Sequence, residues 1–177
     1  MYTEELKIPK GRVAVLIGKM GKDKRTIELK TKTKIKINSK EGDAIIEGED
    51  GLNCYLTKSI LQAIARGFNP KVALKLLDED YCYESLDLKE FTRKTEKDQR
   101  RVKARVIGSK GKAKIFIENK TNTDLSIYGK TVGIIGKIED VQLAKQALIN
   151  LVQGSKHGKV YGFIERTKKK SLSTKFK

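Results

Sequence analysis

Eight residues of this chain return 90 positions later. Val15-Leu16-Ile17-Gly18-Lys19-Met20-Gly21-Lys22 is echoed by Arg105-Val106-Ile107-Gly108-Ser109-Lys110-Gly111-Lys112. The echo continues at the same spacing: Ile27-Glu28 with Ile117-Glu118, Lys30-Thr31 with Lys120-Thr121, Thr33 with Thr123, Ile37 with Ile127, and Glu49-Asp50 with Glu139-Asp140. Ile45-Ile46 matches Ile134-Ile135 after a shift of one residue. Solenoid units recur every ~20–50 residues, so this longer period predicts a duplicated domain. A chain of 177 residues has room for two small ones.

Both copies read alike. An extended segment opens each, Leu6 to Ile8 and Tyr83 to Leu88. A helical stretch follows, Arg12 to Ile17 and Glu96 to Ile107, then the glycine-flanked tetrapeptide, then a second helix from Lys22 or Lys112. Alternation at Ile35 and Ile37, and at Leu125 and Ile127, predicts a strand. Turn residues separate it from another strand, Ala44 to Glu47 or Thr131 to Ile135. A helix closes each copy, with apolar positions Leu52, Leu56, Ile60 and Ile64 in the first. The second shows Val141, Leu143, Ala144, Ala147, Leu148 and Leu151. The expected class is α+β, with order βααββα twice and a three-stranded sheet packed on helices in each copy. The boundaries are 1–66 and 81–153, with a connector at 67–80 and a basic extension at 154–177. Val72, Ala73, Leu74, Leu76 and Leu77 make the connector too apolar for a loose linker, so a short helix packed on one or both domains is expected. Residues 166–177 hold six basic side chains and no acidic one, which predicts a tail disordered until bound.

Charge narrows the partner. Thirty-nine basic against 22 acidic residues leave a net charge of +17, which calls for a polyanion, most often nucleic acid. The excess is uneven: residues 1–80 hold 16 basic and 12 acidic side chains, and residues 81–177 hold 23 and 10. Ten basic residues lie between Arg93 and Lys114, among them Arg100, Arg101, Lys103 and Arg105 before the second loop and Lys112 and Lys114 after it. Residues 100 and 103 can share a helix face, as can 101 and 105. Only Lys10 and Arg12 stand at the matching approach in the first copy, so the second is expected to grip harder.

Other classes find little support. Cys54 and Cys82 are 28 residues apart with no CxxC spacing, which reads as core thiols in a reducing compartment rather than a disulfide or zinc site. His157 is the only histidine. Carboxylates are scattered, and P-loop and metal motifs are missing, so no enzyme, metal, cofactor or small-molecule substrate is expected. No run of about 18 apolar residues could cross a membrane. Met1 to Glu5 lacks the apolar core of a secretory signal, so a cytoplasmic location is expected.

The glycine pair has its own chemistry. Glycine lets a backbone approach a phosphate without a β-carbon in the way. The helix starting behind it aims free N–H groups and a positive dipole end at the same place. Gly18, Lys19, Met20, Gly21 and Lys22, and Gly108, Ser109, Lys110, Gly111 and Lys112, are therefore the candidate phosphate contacts.

Twice placed between helices in a βααββα order, this GxxG resembles the loop of type I KH domains, over residues 4–66 and 82–153. The resemblance implies a loop clamping single-stranded RNA beside a narrow groove for about four bases. By position the groove wall would include Ile17 and Ile37, and Ile107 and Ile127. Many KH domains put glycine after the second helix; Lys32 and Asn122 stand there instead, and lysine tolerates the left-handed cap less well. Gly67-Phe68-Asn69-Pro70, Leu86-Asp87-Leu88, Ser126-Ile127-Tyr128-Gly129-Lys130-Thr131 and the segment Gly154 to Tyr161 are similar to the partner-of-Nob pre-rRNA processing family. Eukaryotic members carry a long N-terminal extension, and this chain, opening almost at its first strand, is similar to the archaeal form. That resemblance implies small-subunit rRNA, bound near its 3′ end in the pre-ribosomal particle beside the trimming nuclease. A translation or RNA-decay factor, or a protein–protein adaptor, remains an alternative.

Overall fold

A computed structural model describes residues 1–93 and 95–175, with side chains through 173. Lys94, from the expected basic stretch, and residues 176 and 177 of the tail lie outside it. The chain forms two units, Met1–Tyr81 and Cys82–Lys177.

The first unit runs β1 (Tyr2–Lys7), α1 (Lys10–Ile17), a 3-10 turn (Lys19–Gly21), α2 (Lys22–Thr31), β2 (Lys34–Asn38), β3 (Asp43–Gly48) and α3 (Gly51–Ala65). Then come α4 (Pro70–Ala73) and a 3-10 turn (Leu74–Leu77). The second runs β4 (Tyr81–Asp87), a 3-10 turn (Leu88–Phe91), α5 (Glu96–Ile107), a 3-10 turn (Ser109–Gly111), α6 (Lys112–Thr121), β5 (Asp124–Tyr128), β6 (Thr131–Lys137), α7 (Ile138–Val152) and α8 (His157–Lys175). The sheets are ordered β1-β3-β2 and β4-β6-β5. The repeated βααββα order is as the sequence predicts.

Local chemistry sets the boundaries. The Asp50 carboxylate accepts the Leu52 N–H at 3.0 Å and opens α3. Asn69 caps α4 through the Lys71 N–H, with Pro70 at the first helical position. Thr95 caps α5. At the far end of α3, Phe68 N–H reaches Ala63 O and Gly67 N–H reaches Ile64 O, both at 3.1 Å. After α7, Ser155 reaches Asn150 O at 3.0 Å and Gly154 reaches Leu151 O at 3.1 Å, the same paired closure of a helix end.

Register corrects the alignment of the copies. Ile35 faces Ile46, and Leu125 faces Ile134. Ile134 therefore matches Ile46, not Ile45, because the turn between β5 and β6 is two residues shorter than that between β2 and β3. Asp50 and Lys137 are the N-caps of α3 and α7, so Glu139-Asp140 fall inside the first helical turn and are not equivalent to Glu49-Asp50. With that shift the buried stripe of α3, Cys54, Thr57, Ile60, Leu61, Ile64 and Ala65, superimposes on Val141, Ala144, Ala147, Leu148, Leu151 and Val152 of α7. Leu52, assigned to the core stripe by spacing, is 64% exposed.

The connector is the expected short helix and packs on α3 within the first unit, with Pro70, Ala73 and Leu76 buried. The extension departs from expectation. The extension is helical from His157 to Lys175, not disordered, because Val160 and Ile164 bury themselves between α6 and α7. Phe116 stacks on Tyr161 with centroids 3.9 Å apart, Lys120 pairs with Glu165 at 3.4 Å, and Lys168 pairs with Asp140. Ala73 and Val160 occupy matching buried places after the two helix ends, so the connector is a shortened counterpart of α8.

Buried hydroxyls join the elements. Thr31 donates to Ile27 O and meets Thr33 at 2.8 Å, and Thr33 meets Thr57 at 3.0 Å. Thr121 and Thr123 repeat the first pair at 2.8 Å, while Ala144 of the α7 stripe stands where Thr57 would. Gly48, the last residue of β3, and Gly136, the last but one of β6, lie beside these threonines; a Cβ there would lie 3.2 and 2.8 Å from a threonine methyl.

Lys32 and Asn122 both take the left-handed cap, at φ 52° and 51°. Lys32 makes that conformation without the local hydrogen bonding open to asparagine. Lys32→Gly should stabilise the protein by about 1 kcal/mol, and Asn122→Gly by less than half of that. Chemical denaturation of the two variants checks the order.

Candidate nucleic-acid interface

Each GxxG forms one left-handed corner between two helices. Gly108 has φ 75° and ψ 173°, a combination open only to glycine, and Lys110 and Gly111 follow at φ 51° and 75°. Gly18, Met20 and Gly21 repeat it at φ 72°, 54° and 77°. A Cβ on Gly108 would lie 2.7 Å from the Ala113 nitrogen, so this glycine packs the loop onto the first turn of α6. At Gly111 a Cβ would meet nothing nearer than 3.9 Å. The first glycine therefore serves the protein's own fold, and the second leaves the outer side of the corner open.

No side chain caps α2 or α6. Their first N–H groups lie behind the corner, where a helix attracts anions. Lys19, Met20, Lys22, Ser109, Lys110 and Lys112 are exposed around them. Among the described residues the ammonium groups of Lys19, Lys22, Lys110 and Lys112 have no partner.

The expected cationic flank is mostly engaged within the protein. Arg105 donates from Nε to Leu151 O at 2.9 Å and from Nη2 to Ser155 O at 2.6 Å. It clamps the end of α7 through two of its five N–H donors. Its own carbonyl bonds His157 Nε2 at 2.9 Å, so it also fixes the start of α8. Arg12 performs the same clamp on Ile64 O and Phe68 O from a place one turn earlier in its helix. Arg101 grips Asp98 through two nitrogens at 2.8 and 2.9 Å. Together with the Arg93 N–H, this holds the Asp98 carboxyl below its ordinary value. Lys103 donates to Gly129 O at 3.1 Å, and Lys114 pairs with Glu118 at 3.2 Å. Arg100, 84% exposed, has only a loose contact of 3.9 Å with Glu96.

Ile107 and Ile127, like Ile17 and Ile37, are half-buried, as walls of a shallow groove would be. The two thiols sit away from the loops, and burial pushes both above their ordinary value. Among the described residues no group of three or more His, Cys, Asp or Glu side chains gathers as metal ligands. Among those residues no helix is long and apolar enough to cross a membrane.

Sequence reading missed two residue types here. Asp23 stands in the first loop where Ala113 stands in the second, and its carboxylate lies against Gly18, with Oδ2 2.1 Å from where a Cβ would be. An acid in the first turn already offsets part of the positive end of that helix. Glu28 and Glu118 also went unread, although the repeat contains both; each accepts a strand N–H, from Ile35 at 2.7 Å and Leu125 at 2.9 Å.

A family model described as the eukaryotic type KH-domain (KH-domain type I), the second KH domain of PNO1, matches residues 82–169, and a KH domain model matches residues 3–54. A KH domain-containing protein of Methanocaldococcus jannaschii is 42% identical over 177 residues, 98% of this chain and 77% of that protein. The pre-rRNA-processing protein PNO1 of Gibberella zeae is 28% identical over 145 residues; the match spans 81% of this chain and 52% of that relative's length. In the crystal structure of the a/eIF2alpha–aDim2p–rRNA complex from Pyrococcus horikoshii OT3, one chain superposes with a TM-score of 0.89 at 42% identity. The match covers 96% of this chain and 95% of that one. The chain belongs to the PNO1/Dim2 family of tandem KH-domain RNA-binding proteins.

Proposed function

We propose that this chain binds a short single-stranded segment of small-subunit rRNA near its 3′ end during subunit maturation, acting as a holder and not as a catalyst. The observation that carries the reading is the open corner at Gly111, with unpaired Lys110 and Lys112 beside an uncapped helix start. Phosphates would seat there and set position, while bases along the half-buried isoleucines would set sequence. The rRNA in the complex of the Pyrococcus relative supports the choice of RNA, and the pre-rRNA-processing names of eukaryotic relatives support the stage. The same complex contains a/eIF2alpha, which favours a translation-factor subunit as a second, protein partner. The rRNA-trimming nuclease and the pre-ribosomal particle, in the cytoplasm, complete the proposed setting. A crosslinking map of the bound RNA tests the reading: reads at the rRNA 3′ end support it, and dispersed mRNA reads overturn it.

If three to six phosphates are neutralised, log K should fall against log salt with a slope of roughly −2 to −4. Titrations of a short single strand at several ionic strengths measure it. Replacing Ser109 and Lys110 together by aspartate should abolish binding in the same assay. Asp23→Ala in the otherwise unaltered protein should raise the affinity for such a strand by several-fold. It removes the internal anion from the first loop, and an unchanged affinity would show that this loop takes no phosphate.

A further inference from the structure

The last helix carries charge that its packing does not use. α8 is held on its unit by Val160 and Ile164, buried against α6 and α7, and by Lys168 on Asp140. Past Lys168 every described side chain is exposed. The first turn holds Lys159 and no acidic residue, although the positive end of a helix disfavours a cation there. Lys159, Gly162, Arg166, Lys169 and Ser173 follow one another at steps of three and four residues, so they share one face. At ~1.5 Å of rise per residue that face is roughly 21 Å long. Among the described residues Lys159, Arg166 and Lys169 have no ionic or hydrogen-bonding partner. The one acid of α8, Glu165, is turned to Lys120 instead.

Charge and rigidity decide what can lie along this face. A row of cations fixed on a straight helix suits phosphates that are themselves held at regular intervals, as in a duplex. A single strand binds where rings or apolar walls take its unpaired bases. This face offers none, because Tyr161 is stacked on Phe116 and Phe163 packs against the core. The Arg166 guanidinium lies over Gly162, with Nη1 3.2 Å from where a Cβ would be. The planar fork therefore sits low on the helix, where it can meet two phosphate oxygens side by side. Position fits as well. His157 Nε2 bonds the carbonyl of Arg105, three residues before Gly108, so α8 begins beside the second loop. The Phe116–Tyr161 and Lys120–Glu165 pairs then carry it alongside α6, away from that loop.

We propose that the outward face of α8, through Lys159, Arg166 and Lys169, is a second RNA-binding surface, which holds the phosphates of an RNA duplex adjoining the single strand at the loop. The loop takes unpaired RNA, and α8 takes a helical stem irrespective of its sequence. The surface shares no residue with the single-strand site, so the two readings stand or fall separately.

The test uses the full chain and three RNAs: a short single strand, a blunt hairpin, and that hairpin with the single strand as its 3′ tail, each titrated at several salt concentrations. The tailed hairpin should bind on the order of tenfold more tightly than the single strand. Lys159→Gln, Arg166→Gln and Lys169→Gln together should remove that gain and lower the salt slope on the tailed hairpin by about two to three. The single strand should change by less than about twofold in the same variant. A matched variant, Lys40→Gln, Lys71→Gln and Lys89→Gln, loses the same charge at exposed positions elsewhere and should keep the gain. Melting temperatures check that both triple variants fold. Replacing Ser109 and Lys110 by aspartate should lose the single strand and leave the blunt hairpin bound. No gain from the stem, or an equal loss in the two triple variants, overturns the proposal and leaves α8 a solvated helix. An equal loss on the single strand and the tailed hairpin from the α8 variant also overturns it, making that face part of the single-strand site. If the single strand fails to bind while the hairpins behave as stated, the loop reading fails and the duplex surface stands.

Discussion

Gly108 packs so tightly on Ala113 that no side chain fits between the loop and the first turn of α6. That contact forces α5 and α6 to meet at a corner four residues long, with Lys110 and Gly111 turned into left-handed backbone on its outer side. The uncapped helix start, the exposed lysines and the open flank all follow from it. With a β-carbon at Gly108 the helices would part, and the N–H groups would no longer converge. Gly18 holds the same place in the first unit, against Asp23.

The clamps on α3 and α7 show how the two units solve one problem from different sequence positions. Each closing helix ends with exposed carbonyls beside the helix that leads into the loop, and a guanidinium satisfies two of them at once. Arg12 stands six residues before Gly18, while Arg105 stands three before Gly108. The required geometry is a fork over two carbonyls, and either turn of the helix supplies it. In the second unit the clamp also holds His157, so the loop helix, α7 and α8 are tied at one point.

Net charge of +17 translates into few free cations near the loop. Arg101, Lys103, Arg105 and Lys114 are each engaged with a carboxylate or a backbone carbonyl. What separates the units is finer: the second lacks the acid that Asp23 places against the first loop, while each loop carries one lysine, Lys19 in the first and Lys110 in the second. The acid at the first loop thus joins the run of basic residues before the second as a difference between the two units.

The duplication, the element order and the two glycine corners were legible in the sequence, because they depend on local rules: period-two strands, apolar stripes on helices, and glycine where φ is positive. Strand register was not, since a two-residue difference in turn length shifts every later equivalence and only pairing across the sheet reveals it. Composition likewise marked residues 166–177 as disordered, while the apolar positions that hold their helix, Val160 and Ile164, lie upstream and find their partners on α6 and α7. Whether a lysine or arginine is free to meet a phosphate depends on which carbonyls and carboxylates the fold brings within 3 Å of it, and those neighbours are 46 and 50 residues away for Arg105. Local periodicity thus determined what the elements are and where the chain turns; long-range contact decided which charges remain for a partner.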